Sequence, residues 1–238
     1  MITPKDIERK TMTEAKRKEA CNSIFAFYIG RPISYVLTIP FLYTNISPNT
    51  VTMASILFCI AGFGIVSFAQ TTTLRLIGVL CFFLWNMGDG IDGNIARYKG
   101  LKSSNGDLLD TLGGYLAMSL MLLSMGNAAF FDTNGNVYLT SFLPVFLGGW
   151  SAVATLIPRV LMHRKNAQNK DANVSQLQDK SKYSISKVIM LNLCDPAGFQ
   201  VVFIAIAILL NLATEFTIVY ALINTVVMVY SIYNLLDK

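Results

Sequence analysis

Three aspartates, Asp89, Asp92 and Asp110, stand in stretches otherwise apolar enough to cross a lipid bilayer. They belong to the run Asp89-Gly-Ile-Asp92-Gly93-Asn-Ile-Ala96-Arg97, followed by Gly106 and Asp110. An aspartate at the centre of a membrane helix costs roughly 2.5 to 3.5 kcal/mol on insertion scales. A cluster of them implies a cation that offsets the cost, or an ion pathway. With Asp89 as position i of a helix, Asp92, Gly93 and Ala96 fall at i+3, i+4 and i+7 and share one face. Two carboxylates then lie beside two residues too small to keep a flat or phosphate-bearing group off the backbone. Arg97, one step round, is placed to hold phosphate oxygens. On the next helix Gly106 and Asp110 are four apart, again on one face. Three oxygen-only donors suit hard divalent cations such as Mg2+ or Mn2+. A pair of these ions bridging a diphosphate would stabilise the leaving group of a phosphoryl transfer.

The elements that must position these groups follow from composition. The 238 residues are 53% hydrophobic and only 14% charged, against about 25% charged in an ordinary soluble domain, and the mean hydropathy is +0.51. Apolar windows of spanning length cover 51–70, 74–97, 106–128, 138–161, 187–211 and 213–235, each near the ~20 residues a helix needs to cross. The expectation is an all-α, polytopic integral membrane protein with six transmembrane helices in residues 45–238. The short turn from Tyr98 to Asn105 makes the second and third helices antiparallel neighbours, so their carboxylates converge. Cys21, Cys59, Cys81 and Cys194 lack metal or redox spacing and read as small core residues.

The first twenty residues are polar and lack the apolar core of a cleavable signal. With both ends inside, eighteen of the nineteen Lys and Arg residues fall on the cytosolic side and only Arg75 outside, as the positive-inside rule requires. The apolar stretch from Ile24 to Tyr43 is interrupted by Gly30-Arg31-Pro32 and Pro40, and counting it as a span breaks that pattern. Residues 1–44 are therefore expected to lie along the cytosolic face as interfacial helices, their basic heads toward lipid phosphates. The aspartates crowd toward the cytosolic third and no inverted repeat is visible, which argues against a transporter. No nucleic-acid partner is expected.

The run Asp89-x2-Asp92-Gly93-x2-Ala96-Arg97-x8-Gly106-x3-Asp110, spaced over 22 positions, resembles the signature of the CDP-alcohol phosphotransferases, also called CDP-alcohol phosphatidyltransferases. The resemblance implies two divalent metals, Mg2+ or Mn2+, on Asp89, Asp92 and Asp110, with Gly93, Ala96, Arg97 and Gly106 around the CDP moiety. It implies a cavity facing the cytoplasm, in the plasma (inner) membrane. There a CDP-alcohol such as CDP-diacylglycerol gives its substituted phosphate to an acceptor hydroxyl, with release of CMP. The acceptor would be a polyol, an amino alcohol, one of their phosphates or a lipid, and the product a phospholipid or lipid-linked polymer precursor. A homodimer is also implied. By the same resemblance Arg159, beside Pro158, would bind an anionic acceptor, an anchoring role near the membrane edge being the alternative. His163 reads as a solvated side chain, and the polar stretch from His163 to Ser186 as cover over the cavity mouth.

The sequence departs from this signature at one position, where Gly114 stands in place of a fourth Asp that the family uses as general base. Asp195, expected about eight residues into the fifth helix at the depth of Asp89, is the first candidate to replace it. Asp107, one turn before Asp110, is the second. Otherwise a metal-bound acceptor loses its proton to water, or the chain binds a CDP-alcohol or lipid without turnover. Gly113-Gly114 and Gly148-Gly149 are expected to permit close helix packing.

Overall fold

A computed structural model describes residues 2–101, 103–132, 142–168 and 184–236. Among these every regular element is helical. The N-terminal segment forms α1 (Pro4–Thr11), α2 (Glu14–Ala20), a π-helical turn (Ala26–Gly30) and α3 (Arg31–Leu42). Helix α1 starts with a reciprocal cap. The Thr3 hydroxyl accepts the Asp6 N–H at 3.3 Å and the Asp6 carboxylate accepts the Thr3 N–H at 2.9 Å, satisfying two donors the first turn leaves open. The hydrogen bonds from Thr3 hold the Asp6 carboxyl below its usual range.

On α3 the usual amphipathic order is inverted. Ser34, Tyr35 and Thr38 are buried while Ile33, Val36 and Leu37 are exposed, the distribution expected of a helix whose outer face meets lipid rather than water. The inward hydroxyls are not idle: the Asn94 amide donates to Ser34 Oγ at 3.3 Å and to Thr38 Oγ1 at 3.2 Å.

Among the described residues five helices are long and apolar enough to cross a membrane: α4 (Pro48–Phe68), α5 (Thr72–Lys99), α6 (Ser104–Asp132), α7 (Leu143–Gln168) and α10 (Ala213–Leu236). The protein is an all-α polytopic membrane protein. Local chemistry sets several boundaries. Ser47 accepts the Thr50 N–H at 3.2 Å and Pro48 follows in the first helical position, where a missing N–H costs nothing. Gly100, at φ +69°, ends α5 in the left-handed conformation that glycine adopts without a Cβ penalty, and the Leu101 N–H closes on the Ala96 carbonyl at 2.8 Å. Ser103 then caps α6 through the Gly106 N–H at 3.2 Å. Of the polar stretch after His163, residues 169–183 lie outside the described residues, as do 133–141.

The window expected as one fifth span, 187–211, is broken. It forms α8 (Ile185–Cys194) and α9 (Gln200–Leu209) with turns between them. Pro196 is the cause. Its ring pushes the preceding residue out of the helical region, and Asp195 is extended at φ −79°, ψ 125°. The freed carbonyls stay satisfied, since Gly198 N–H donates to Asp195 O at 2.8 Å and Phe199 N–H to Asn192 O at 3.1 Å. A Cβ on Gly198 would lie 2.8 Å from the Asn192 carbonyl oxygen, so only glycine closes this turn.

The chain divides into two compact units. The first holds α1 to α3, α4 up to Ile60, α5 from Cys81, α6 up to Leu116, and α8. Inside it, Asn192 accepts the Ile24 N–H at 2.7 Å and donates to the Asn22 carbonyl at 2.7 Å, while Phe25 meets Phe199 edge-on. Lys10 lies 4.3 Å over the Tyr98 ring. The second holds the remaining parts of α4 to α6 with α7, α9 from Val202, and α10. There Gly126 and Gly148 bring α6 and α7 so close that a Cβ on Gly126 would sit 2.6 Å from the Pro144 carbonyl oxygen, and Arg75 is paired with both oxygens of Asp132 at 2.8 and 2.7 Å.

Candidate active site

The first unit gathers the aspartates at the end of α5 and the start of α6. Asp92 is buried, 6% exposed, and its carboxylate accepts the Thr52 hydroxyl of α4 at 2.6 Å. Asp92, Asp110 and Asp195 all stand near enough to Asp89 for their charges to repel it. Like charges gathered in this way favour a proton or a cation among them. None of the four is in an ion pair among the described residues. The negative charge is therefore not neutralised by basic side chains in contact with it.

A cavity of about 760 Å³ opens on this cluster, walled by Asp92, Gly93, Ala96 and Arg97 of α5, Gly106, Asp107 and Asp110 of α6, and Asn49 and Thr52 of α4. Six of the residues whose spacing suggested one site, Asp92, Gly93, Ala96, Arg97, Gly106 and Asp110, thus line one space. Asp107 shares it and is exposed. Gly93 serves a close approach, but the group that approaches is the protein's own. A Cβ there would lie 2.8 Å from Arg97 Nη2, so glycine lets the guanidinium lie along its own helix, where it also donates to Asn94 Oδ1 at 3.3 Å. Gly106 similarly admits the Asn49 amide oxygen, 3.1 Å from where a Cβ would be.

Asp195 stands in the break between α8 and α9 rather than inside a helix. Its Oδ1 accepts the Ala197 N–H at 3.0 Å, an Asx turn that fixes the carboxylate. Arg159 is half-buried on α7, in the second unit. Gly114, one turn beyond Asp110, packs against no other helix of this chain: a Cβ added there meets nothing within 4 Å, whereas at Gly113 it would touch Ile56 and Trp85 at 3.5 and 3.6 Å. Position 114 thus has room for a side chain where the sequence provides none.

Thr52 and Asn49 are residues that the reading of the sequence missed. The signal was present, because Ser47-Pro48 marks the start of α4 and so puts Asn49 and Thr52 in its first turns. As for metal, among the described residues no three His, Cys, Asp or Glu side chains are close enough to cage an ion as they stand. The donors nevertheless fit a hard divalent cation, being all oxygen, convergent and unpaired with any basic side chain.

The chain matches the family model of the CDP-alcohol phosphatidyltransferases over residues 45–233 and belongs to that family. Its members are CDP-alcohol phosphotransferases, membrane transferases that use a CDP-alcohol donor and an alcohol acceptor. No curated protein matches the chain.

Proposed function

We propose that the protein transfers a substituted phosphate from a CDP-alcohol to an acceptor hydroxyl with release of CMP, in phospholipid or lipid-linked polymer synthesis. The observation that carries this reading is the cavity that joins Asp92, Asp107 and Asp110 to a floor of Gly93 and Ala96. In this reading residues 1–44 form an interfacial segment. Residues 45–238 form the membrane domain, with α8 and α9, each too short alone, making one of six crossings. The cavity faces the cytoplasm in the plasma membrane, and the chain acts as a homodimer.

Asp89, Asp92 and Asp110 would hold two Mg2+ or Mn2+ ions, which when bound would supply neutralisation of diphosphate charge. Thr52 orients Asp92 by its hydrogen bond. Gly93, Ala96 and Gly106 leave space for the CDP moiety, and Arg97 turns from its helix to the phosphate oxygens. Arg159 receives an anionic acceptor. The acceptor oxygen attacks the phosphorus that carries the alcohol, the bond from that phosphorus to the CMP oxygen breaks, and CMP leaves. Asp195, or else Asp107, takes the hydroxyl proton. A second reading, donor or lipid binding without turnover, is favoured by the empty space at Gly114.

The test is CMP release by the purified chain with Mg2+ or Mn2+ across a panel of CDP-alcohols and acceptors, with Asp92→Asn as the blank. Release requiring metal, donor and one acceptor supports the transferase. Metal-dependent donor binding without release from any pair supports the second reading.

A further inference from the structure

The N-terminal segment holds a second cavity, of about 370 Å³, between α1, α2, the π-helical turn and α3. It shares no lining residue with the aspartate cavity. Three of its walls are cationic, Lys5, Arg17 and Arg31, against a single carboxylate, Glu8, already paired with Arg17. Arg31 makes no ion pair among the described residues, and Lys16 and Arg97 stand near enough to add to its positive field. Tyr35, which also lines the cavity, is 6% exposed and its hydroxyl has no hydrogen-bond partner. A buried, unpartnered hydroxyl in the wall of a cavity whose single carboxylate is already paired calls for an oxyanion.

The remaining walls say what carries the anion. Tyr28 and Val36 are 64% and 55% exposed, and Val36 belongs to the outward apolar stripe of Ile33, Val36 and Leu37 on α3. Free phosphate has no use for that surface. A phospholipid does, since its headgroup and chains need a basic pocket and an apolar flank side by side.

We propose that this cavity binds the phosphate of an anionic phospholipid, with Arg31 and the Tyr35 hydroxyl on the phosphate oxygens and the acyl chains along Tyr28 and Val36. The site rests on the reading of residues 1–44 as interfacial. It is separate from the donor site and does not depend on turnover.

The experiment is native mass spectrometry of the full chain released from neutral detergent, titrated with phosphatidylglycerol, phosphatidylcholine or inorganic phosphate. Phosphatidylglycerol is expected to bind about tenfold more tightly than phosphatidylcholine, and Arg31→Gln to remove that preference. Tyr35→Phe is expected to weaken it several-fold, roughly as one hydrogen bond, and Arg31→Lys to retain most of it. Equal phosphatidylglycerol binding by the wild type and by Arg31→Gln, at the same unfolding temperature, overturns the proposal. Displacement of the lipid by millimolar inorganic phosphate overturns its lipid source. Lipid is read directly as bound mass, so an inactive transferase site would not alter either result.

Discussion

The hydroxyl of Thr52 donates to the buried carboxylate of Asp92 at 2.6 Å, linking α4 to α5 at the floor of the aspartate cavity. A buried carboxylate oriented by hydrogen bonds is fixed in place to receive a cation. Asp92→Asn is expected to abolish CMP release while leaving the protein extractable and folded. Thr52→Val should raise the metal concentration needed for half-maximal activity by about tenfold. A metal titration of both variants checks this, and an unshifted Thr52→Val curve would detach Thr52 from the site.

At position 114 there is open space for a side chain one turn from Asp110. Gly114→Asp should therefore fold as well as the parent. Restoring a carboxylate there is expected to raise turnover by about tenfold or more, toward the range of general-base catalysis. Unchanged turnover in a folded variant means that the proton already has an adequate acceptor.

Asp195 is the carboxylate held by its own turn, and Asp107 the one exposed in the cavity. Asp195→Asn should slow turnover by about 100-fold without weakening donor binding, and Asp107→Asn much less. The pH–rate profile separates them, because loss of the base removes the acidic limb only in the variant that carried it.

Lys16 of α2 titrates at about 8 rather than the usual 10.5, because it is partly buried and because Arg97 and Arg31 lie nearby, with Glu19 acting the other way. Below pH 8 both folded and unfolded chains hold this proton. Between 8 and 10.5 the unfolded chain binds more, so stability rises with pH in that window. Thermal unfolding from pH 7.5 to 10 should show an increase that Lys16→Met flattens. An equal rise in the variant would assign it to other groups.

In the second unit Arg75 has a side chain only 7% exposed while that of its partner Asp132 is 36% exposed. Deleting the two partners therefore leaves different remainders. Asp132→Leu strands a buried charge and is expected to cost about 3 kcal/mol. Arg75→Leu leaves a carboxylate that water can reach and should cost less, and the double variant should recover part of the loss. Unfolding temperatures of the three variants in one detergent test this order.

The membrane helices were legible because hydropathy sums over about twenty residues and a single polar group barely alters it. The clustering of Asp92, Gly93, Ala96, Arg97, Gly106 and Asp110 was legible too, since helical spacing alone puts them on two facing surfaces. The interruption at Asp195 was not, because an apolar window averages over Pro196, whose effect is steric and local. Thr52 escaped because one threonine in an apolar helix carries no pattern. Within the chain, which of the pair Gly113-Gly114 meets a neighbouring helix was not legible either, because the sequence does not say which side of a helix a glycine faces; Gly113 is the one in contact.

The irregular turn from Asp195 to Phe199 also separates α8 from α9 as carriers of helical phase. In one continuous helix an inserted or deleted residue would rotate everything beyond it by about 100°. Here the turn can absorb such a change, so the segments on either side are free to gain or lose residues during evolution without forcing each other's faces out of alignment.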